Sequence, residues 1–216
     1  MADRDRLIIF DMDGTLVDSE PIANAVLHRA LRGVGVPISY EDTVERFVGR
    51  PIRDCLRMVH ELYGVPLGDE FLHDLQRETY AAYETGLRPI PHAAELLAGL
   101  AEPFCLASSS SIEKIRLSLR LTGLDGFFEA RTFSAEEVAR GKPAPDLFLH
   151  AAARLGFATD ACIVVEDSLP GIEAGRAAGM RVLAFTGGGH VAPARLRAAG
   201  GEPFDDLRQL PVLLGR

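Results

Sequence analysis

The chain has 216 residues, 47% hydrophobic and 25% charged, enough to bury a full core as one domain or as one domain carrying an insertion. Its 31 acids against 23 lysines and arginines give a net charge of −8, which argues against a general nucleic-acid or membrane-surface role, because both need a basic footprint. No apolar run approaches the roughly 20 residues of a bilayer span. The start MADRDRLIIFDMDG shows no small-residue cleavage site, so a cytoplasmic location is expected. Cys55, Cys105 and Cys162 are too far apart in sequence to suggest a disulfide framework or a metal cluster, and read as small buried hydrophobes. Only Lys114 and Lys142 stand against 21 arginines, a compositional bias that makes each lysine conspicuous.

The stretch Leu7–Glu20 opens with a short apolar run, the pattern of a strand buried on both faces, which ends at Asp11 with Asp13 two positions on. Glu20–Leu31 has helical apolar spacing, with Ser19 as its N-cap and Pro21 in the first turn. Tyr40–Val48, Ile52–Tyr63 and Asp69–Tyr83 read as three more helices, so the whole of 18–88 is expected to be helical. From Pro89 the pattern alternates. Helices are expected at Ala93–Leu100, Ser111–Thr122, Asp146–Leu155, Pro170–Ala178 and Pro193–Ala199, and strands at Pro103–Ala107, Phe127–Phe133, Ala161–Val165 and Met180–Phe185. A helix near Phe204–Leu214 closes the chain.

Alternating strand and helix implies an α/β fold with a doubly wound, Rossmann-like parallel sheet, and the helical block reads as an all-helical cap subdomain inserted after the first strand. The expected division is 1–17 with 89–216 as the core and 18–88 as the cap. In such sheets, ligands sit outside the carboxyl ends of the strands.

The chemistry-bearing residues fall at those ends. In extended backbone, residues two apart point the same way, so Asp11 and Asp13 would converge where ionised groups need a metal or partner. The second strand runs into Ser108–Ser111, whose hydroxyls and N–H groups suit a phosphate oxygen, although a serine run before a helix also serves as a cap. Lys142 sits on a stiff Gly-Lys-Pro-Ala-Pro loop. The strand at Ala161–Val165 then delivers Glu166 and Asp167. Alone, each motif is compatible with an ordinary turn, cap or surface loop; jointly they describe one site.

The set DMDGT, ASSS, GKPAPD and VVEDS resembles the four signatures of the haloacid dehalogenase superfamily over Leu7 to about Phe185, and DSEP and EDSLPGIEAG look like its β-phosphoglucomutase-like phosphatase branch. The resemblance implies that Asp11 attacks phosphorus and forms an aspartyl-phosphate, while Asp13 protonates the leaving oxygen. It implies Mg²⁺ held by Asp11, Asp13 (through its main-chain carbonyl) and Asp167, with Glu166 binding the metal or supporting it. Ser108, Ser109 and Lys142 would hold the phosphate. The cap would choose the leaving group, with Glu20 and Arg50 as contacts and Arg53 and His190 as lesser candidates.

The implied function is hydrolysis of a small phosphorylated metabolite, a sugar, sugar-acid or polyol phosphate, by a monomer or homodimer. Neighbouring chemistries fit less well. A dehalogenase lacks the second acid, and a phosphonate hydrolase needs a cap lysine, which 18–88 does not contain. A β-phosphoglucomutase-type mutase is the alternative, yet it places a histidine where this chain has Ala23. A catalytically silent regulatory module is a further alternative, opposed by the intact Asp11, Asp13, Lys142 and Asp167.

Overall fold

The computed structural model describes residues 6–48 and 52–215. It divides into two compact units, Met1–Asp18 with Arg88–Arg216, and Ser19–Leu87. The first is an α/β unit around a six-stranded, wholly parallel sheet in the order β3-β2-β1-β4-β5-β6. Its strands are β1 (Leu7–Phe10), β2 (Phe104–Ser108), β3 (Thr132–Ser134), β4 (Cys162–Glu166), β5 (Arg181–Phe185) and β6 (Glu202–Phe204). The second unit consists of α1 (Glu20–Gly33), α2 (Tyr40–Phe47), α3 (Ile52–Tyr63) and α4 (Asp69–Gly86). Helices α5 (Ala93–Gly99), α6 (Ile112–Thr122), α7 (Asp125–Phe128), α8 (Asp146–Leu155), α9 (Leu169–Ala177), α10 (Pro193–Ala198) and α11 (Leu210–Leu213) belong to the α/β unit.

Every residue of β1 is fully buried, and each such side chain contributes roughly 1.5–3 kcal/mol through removal from water. Phe10 meets Phe104 edge-on at 6.2 Å, and Phe104 meets Phe128 at 5.6 Å, which ties the central strand to its neighbour and to α7. The core of the α/β unit is completed by Leu147, Phe148 and Ala151 of α8 and by Ile172 and Ala174 of α9. In the helical unit Val26, Leu27 and Leu31 of α1 pack with Phe47, Cys55, Val59 and Leu75 around a separate core. The three cysteines are buried free thiols. Among the described residues no helix is long and apolar enough to cross a membrane.

Three expectations need correction. The apolar stretch Phe127–Phe133 is not one strand: Asp125–Phe128 closes a helical turn and only Thr132–Ser134 pairs with β2. The segment near Phe204–Leu214 is not one helix. Its start is edge strand β6, which tolerates Pro203 as edge strands do, followed by a 3₁₀ turn at Leu207–Gln209 and the short α11. Ser19 precedes α1 with helical backbone angles and makes no side-chain cap to it.

Strands β1 to β3 run outward on one side and β4 to β6 on the other, so the order reverses between β1 and β4. Such a reversal leaves a crevice at the carboxyl ends of the two strands. Where the chain leaves the α/β unit and returns to it, Asp18 N–H donates to the Arg88 carbonyl at 2.9 Å.

Candidate active site

Both strands at the reversal end in acids. Asp11 directly follows β1 and its N–H donates to the Val165 carbonyl at 2.9 Å, so Asp11 and Glu166 leave the sheet side by side. The chain then turns sharply, with the N–H groups of Leu16 and Val17 donating to the Met12 carbonyl at 2.9 and 3.0 Å. Gly14 occupies this turn at φ +78°, and a Cβ there would lie 2.2 Å from Asp167 Oδ2. Both the backbone and the neighbour therefore demand glycine. The close approach seats the Asp167 carboxylate on the turn that carries Asp13, and Thr15 Oγ1 donates to Asp167 Oδ1 at 3.1 Å.

Lys142 reaches the same place from the loop before α8. Its Nζ donates to Asp11 Oδ1 at 2.5 Å, to Glu166 Oε1 at 2.9 Å and to the Ala107 carbonyl at 3.1 Å, which matches the three N–H bonds of an ammonium. The side chain is 3% exposed and passes over the Phe148 ring. The loop is fixed at its mouth by a two-pronged Arg140–Asp146 pair at 3.0 and 2.8 Å, and the Lys142–Pro143 peptide is cis. Burial pushes the Asp11 carboxyl up to about 7, against the opposing attraction of Lys142 and with added repulsion from Glu166 and Asp13. For Lys142 burial acts downward, but the Asp11 and Glu166 carboxylates outweigh it and hold the ammonium above its ordinary value.

Asp13 has different company. Its Oδ2 accepts from Ser110 Oγ at 2.7 Å and from Lys114 Nζ at 3.0 Å. The serine run divides its work. Ser108 Oγ accepts from Ser110 N–H at 3.1 Å, Ser109 is exposed, Ser110 holds Asp13, and Ser111 caps α6. Ser134 at the end of β3 donates to the Ser110 carbonyl at 2.8 Å and steadies the loop from behind.

The structure thus gathers Asp11, Asp13, Ser108, Ser109, Lys142, Glu166 and Asp167 on the strand ends and loops of the α/β unit. Glu20 belongs to the helical unit, where it opens α1 and accepts from Asn24 Nδ2 at 3.5 Å. Arg50 lies outside the described residues. Arg53 forms an exposed pair with Asp69 at 3.6 Å. A depression of about 350 Å³ in the helical unit is lined by residues of that unit, Arg53, Arg57 and His60 among them, and by none of the acids at the strand ends. His190 Nε2 is buried without a hydrogen-bond partner among the described residues, and burial pushes its imidazole down against the opposing pull of Asp18. Lys114 is the residue that motif reading missed. Its only signals were its rarity and its place three residues after the Ser111 cap, which puts it on the first turn of α6.

Among the described residues no three His, Cys, Asp or Glu side chains form a metal cage. The donors suit instead a hard cation that takes one or two carboxylates, a carbonyl and water, the habit of Mg²⁺. Asp11, Asp167 and the Asp13 main-chain carbonyl fit that description, and a cation there would offset the burial that raises the Asp11 carboxyl. Both Glu166 oxygens already accept protein donors, Lys142 on one and the Ser168 N–H and hydroxyl on the other at 2.6 and 2.8 Å. Glu166 is therefore placed as the counter-ion of Lys142.

Paired acids and a buried lysine thus meet at the carboxyl ends of a parallel sheet. The model of the haloacid dehalogenase-like hydrolases matches residues 6–179, and the chain belongs to that family. It is 31% identical over 207 residues to 6-phosphogluconate phosphatase of Escherichia coli (strain K12), covering 95% of this chain and 93% of that protein. It is 34% identical over 181 residues to hexitol phosphatase A of the same organism, covering 82% and 81%. The crystal structure of a conserved haloacid dehalogenase-like protein from Agrobacterium tumefaciens str. C58 shares 39% identity and a TM-score of 0.87, covering 97% of each chain. The chain is a phosphatase.

Proposed function

We propose that this phosphatase hydrolyses a small sugar, sugar-acid or polyol phosphate with Mg²⁺, through a covalent phosphoryl group on Asp11. The observation that carries this reading is the contrast between two carboxylates two positions apart. Asp11 is buried against Lys142, whereas Asp13 is held to one side by Ser110 and Lys114. That contrast supports Asp11 as the nucleophile and Asp13 as the proton carrier. The printed names of the two phosphatase relatives support a small phosphorylated metabolite as substrate.

In the first step the Asp11 carboxylate forms a bond to phosphorus as the bond from phosphorus to the ester oxygen breaks, and Asp13 gives its proton to that oxygen. In the second step Asp13 takes a proton from water as the water oxygen bonds to phosphorus and the Asp11–phosphorus bond breaks. The products are the alcohol and inorganic phosphate. Asp11, Asp167 and the Asp13 carbonyl would hold Mg²⁺, which would supply positive charge to the transferring group. Lys142, fixed by Glu166, favours the ionised form of Asp11 and adds positive charge beside the phosphoryl group, while Ser108 and the Ser109 N–H hold its oxygens. The insertion at 18–88 acts as the cap that selects the leaving group, with Glu20 and Arg50 as its contacts. Ala23, where a mutase carries histidine, favours release of phosphate to water.

The test is a panel of phosphorylated sugars, sugar acids and polyols together with an aryl phosphate, assayed with Mg²⁺ and with chelator. Magnesium-dependent release of phosphate that vanishes in Asp11→Asn is expected. Substantial turnover by Asp11→Asn removes the residue from the nucleophile role, and a flat baseline across the panel removes the reading altogether.

A further inference from the structure

Both lysines of the chain end in this site, and they do different things. Lys142 is sealed, with its three N–H bonds directed at Asp11, Glu166 and the Ala107 carbonyl. Lys114 is 24% exposed and Asp13 beside it 17% exposed, so this pair opens toward solvent where the pair at Asp11 is closed. Lys114 also rides on the first turn of α6, where the helix dipole adds to its positive charge.

We infer that Lys114 recognises a carboxylate on the alcohol part of the substrate, so that the enzyme prefers phosphorylated sugar acids and hydroxy acids over the corresponding polyol phosphates. The inference rests on the reading of Asp13 as the group that protonates the ester oxygen. Nζ of Lys114 lies 3.0 Å from Asp13 Oδ2, and a hydrogen bond from Asp13 to the ester oxygen spans about 2.7 Å. The ammonium is therefore within about 6 Å of the leaving oxygen. A carboxylate two to six carbons along the alcohol falls inside the reach of that ammonium.

The charge balance points the same way. Asp11, Asp13, Glu166 and Asp167 surround the reacting centre, and a substrate carboxylate arriving beside Asp13 would meet like charge. Among the described residues Lys114 is the cation paired with Asp13. When Asp13 turns to the ester oxygen, the substrate carboxylate takes its place on Lys114, and one charge-assisted bond is exchanged for another. A polyol offers only a hydroxyl there and leaves the ammonium less well compensated, which is how a polar subsite rejects the analogue that lacks the matching group.

The test compares matched substrates that differ only in this group: 6-phosphogluconate with glucitol 6-phosphate, and 3-phosphoglycerate with glycerol 3-phosphate, each with Mg²⁺. For the wild-type protein kcat/KM is expected to be at least about tenfold higher for the acid of at least one pair, the value of one hydrogen bond to a charged group. Lys114→Met should bring that ratio near one and Lys114→Arg should keep it. The ratio separates recognition from positioning, because a lysine that served only to place Asp13 would slow acid and polyol by the same factor. A wild-type ratio at or below one in both pairs overturns the inference without needing any variant, and so does an unchanged ratio in a folded Lys114→Met. Turnover of polyol phosphates without acid preference sinks this inference alone, whereas absence of turnover on every ester sinks the phosphatase reading of the site with it.

Discussion

Gly171 offers the sharpest test of the packing behind the site, because helix propensity and tertiary contact predict opposite signs. It is the third residue of α9, where replacing glycine by alanine would ordinarily stabilise by roughly 0.5–1 kcal/mol. A Cβ at this position, however, would lie 1.7 Å from Glu166 Oε1 and 1.9 Å from its Cδ. No rotation of the methyl relieves that overlap, so the Glu166 carboxylate has to leave its seat. It is 1% exposed and accepts from Lys142 at 2.9 Å and from the Ser168 N–H and hydroxyl at 2.6 and 2.8 Å. Bonds to a charged group are worth about 1.5–3 kcal/mol each, and losing a partner from a buried pair costs about 3–5 kcal/mol. Partial relaxation recovers some of this, so Gly171→Ala should lose about 2–4 kcal/mol. Urea unfolding should show a lower midpoint at unchanged slope, and phosphatase activity should fall because Lys142 loses its anchor. In a Glu166→Ala background the same substitution should be neutral or stabilising, since the obstacle is gone. Equal or higher stability of Gly171→Ala in the wild-type background refutes the reasoning.

Burial raises the Asp11 carboxyl from 3.8 to about 7, so between those values the folded metal-free protein binds a proton that the unfolded chain has released. The Asp11 contribution to stability therefore falls as pH rises through that window and levels off above it. Urea midpoints in chelator from pH 4 to 8 should show this as a difference between wild type and Asp11→Asn, largest near neutrality, and a constant difference counts against it. Ser110→Ala removes the 2.7 Å bond to Asp13 and should lower kcat about tenfold with KM nearly unchanged, which steady-state kinetics on one substrate reads directly. For His190, burial holds the imidazole below 6.5, so the fold favours the neutral ring. Its contribution is present above that pH and is lost as pH falls below it; an NMR titration that puts His190 at or above 6.5 contradicts the burial argument.

The sheet was legible because each of its central strands is a short apolar run between turn residues, and alternation with helices allows little but a parallel arrangement. Two segments resisted. Phe127 and Phe128 are as apolar as a strand, but a four-residue helix buries Phe128 equally well, and periodicity cannot separate the two over so short a run. Glu202–Phe204 carries a proline and lies on the sheet's edge, where pairing depends on the neighbouring strand rather than on local pattern.

The residues that meet around Asp11 divide in the same way. Asp11, Asp13, Glu166 and Asp167 announce themselves locally, since a carboxylate directly after a buried strand is costly unless a cation or a set of donors holds it. Lys114 does not. Its partner Asp13 lies 101 positions away, and a lysine on the first turn of a helix looks like an ordinary solvated side chain until the fold brings β1 and β2 side by side. Ser110 was hidden for a related reason: four consecutive serines read as a cap or a cradle, and only the parallel register that pairs Ser108 with Ser134 shows which hydroxyl turns toward Asp13 and which one caps α6. Local sequence thus reveals the carboxylates proposed to act at phosphorus. The groups proposed to face the leaving alcohol, Ser110 and Lys114, are set by long-range register, and the proposed substrate preference rests on them.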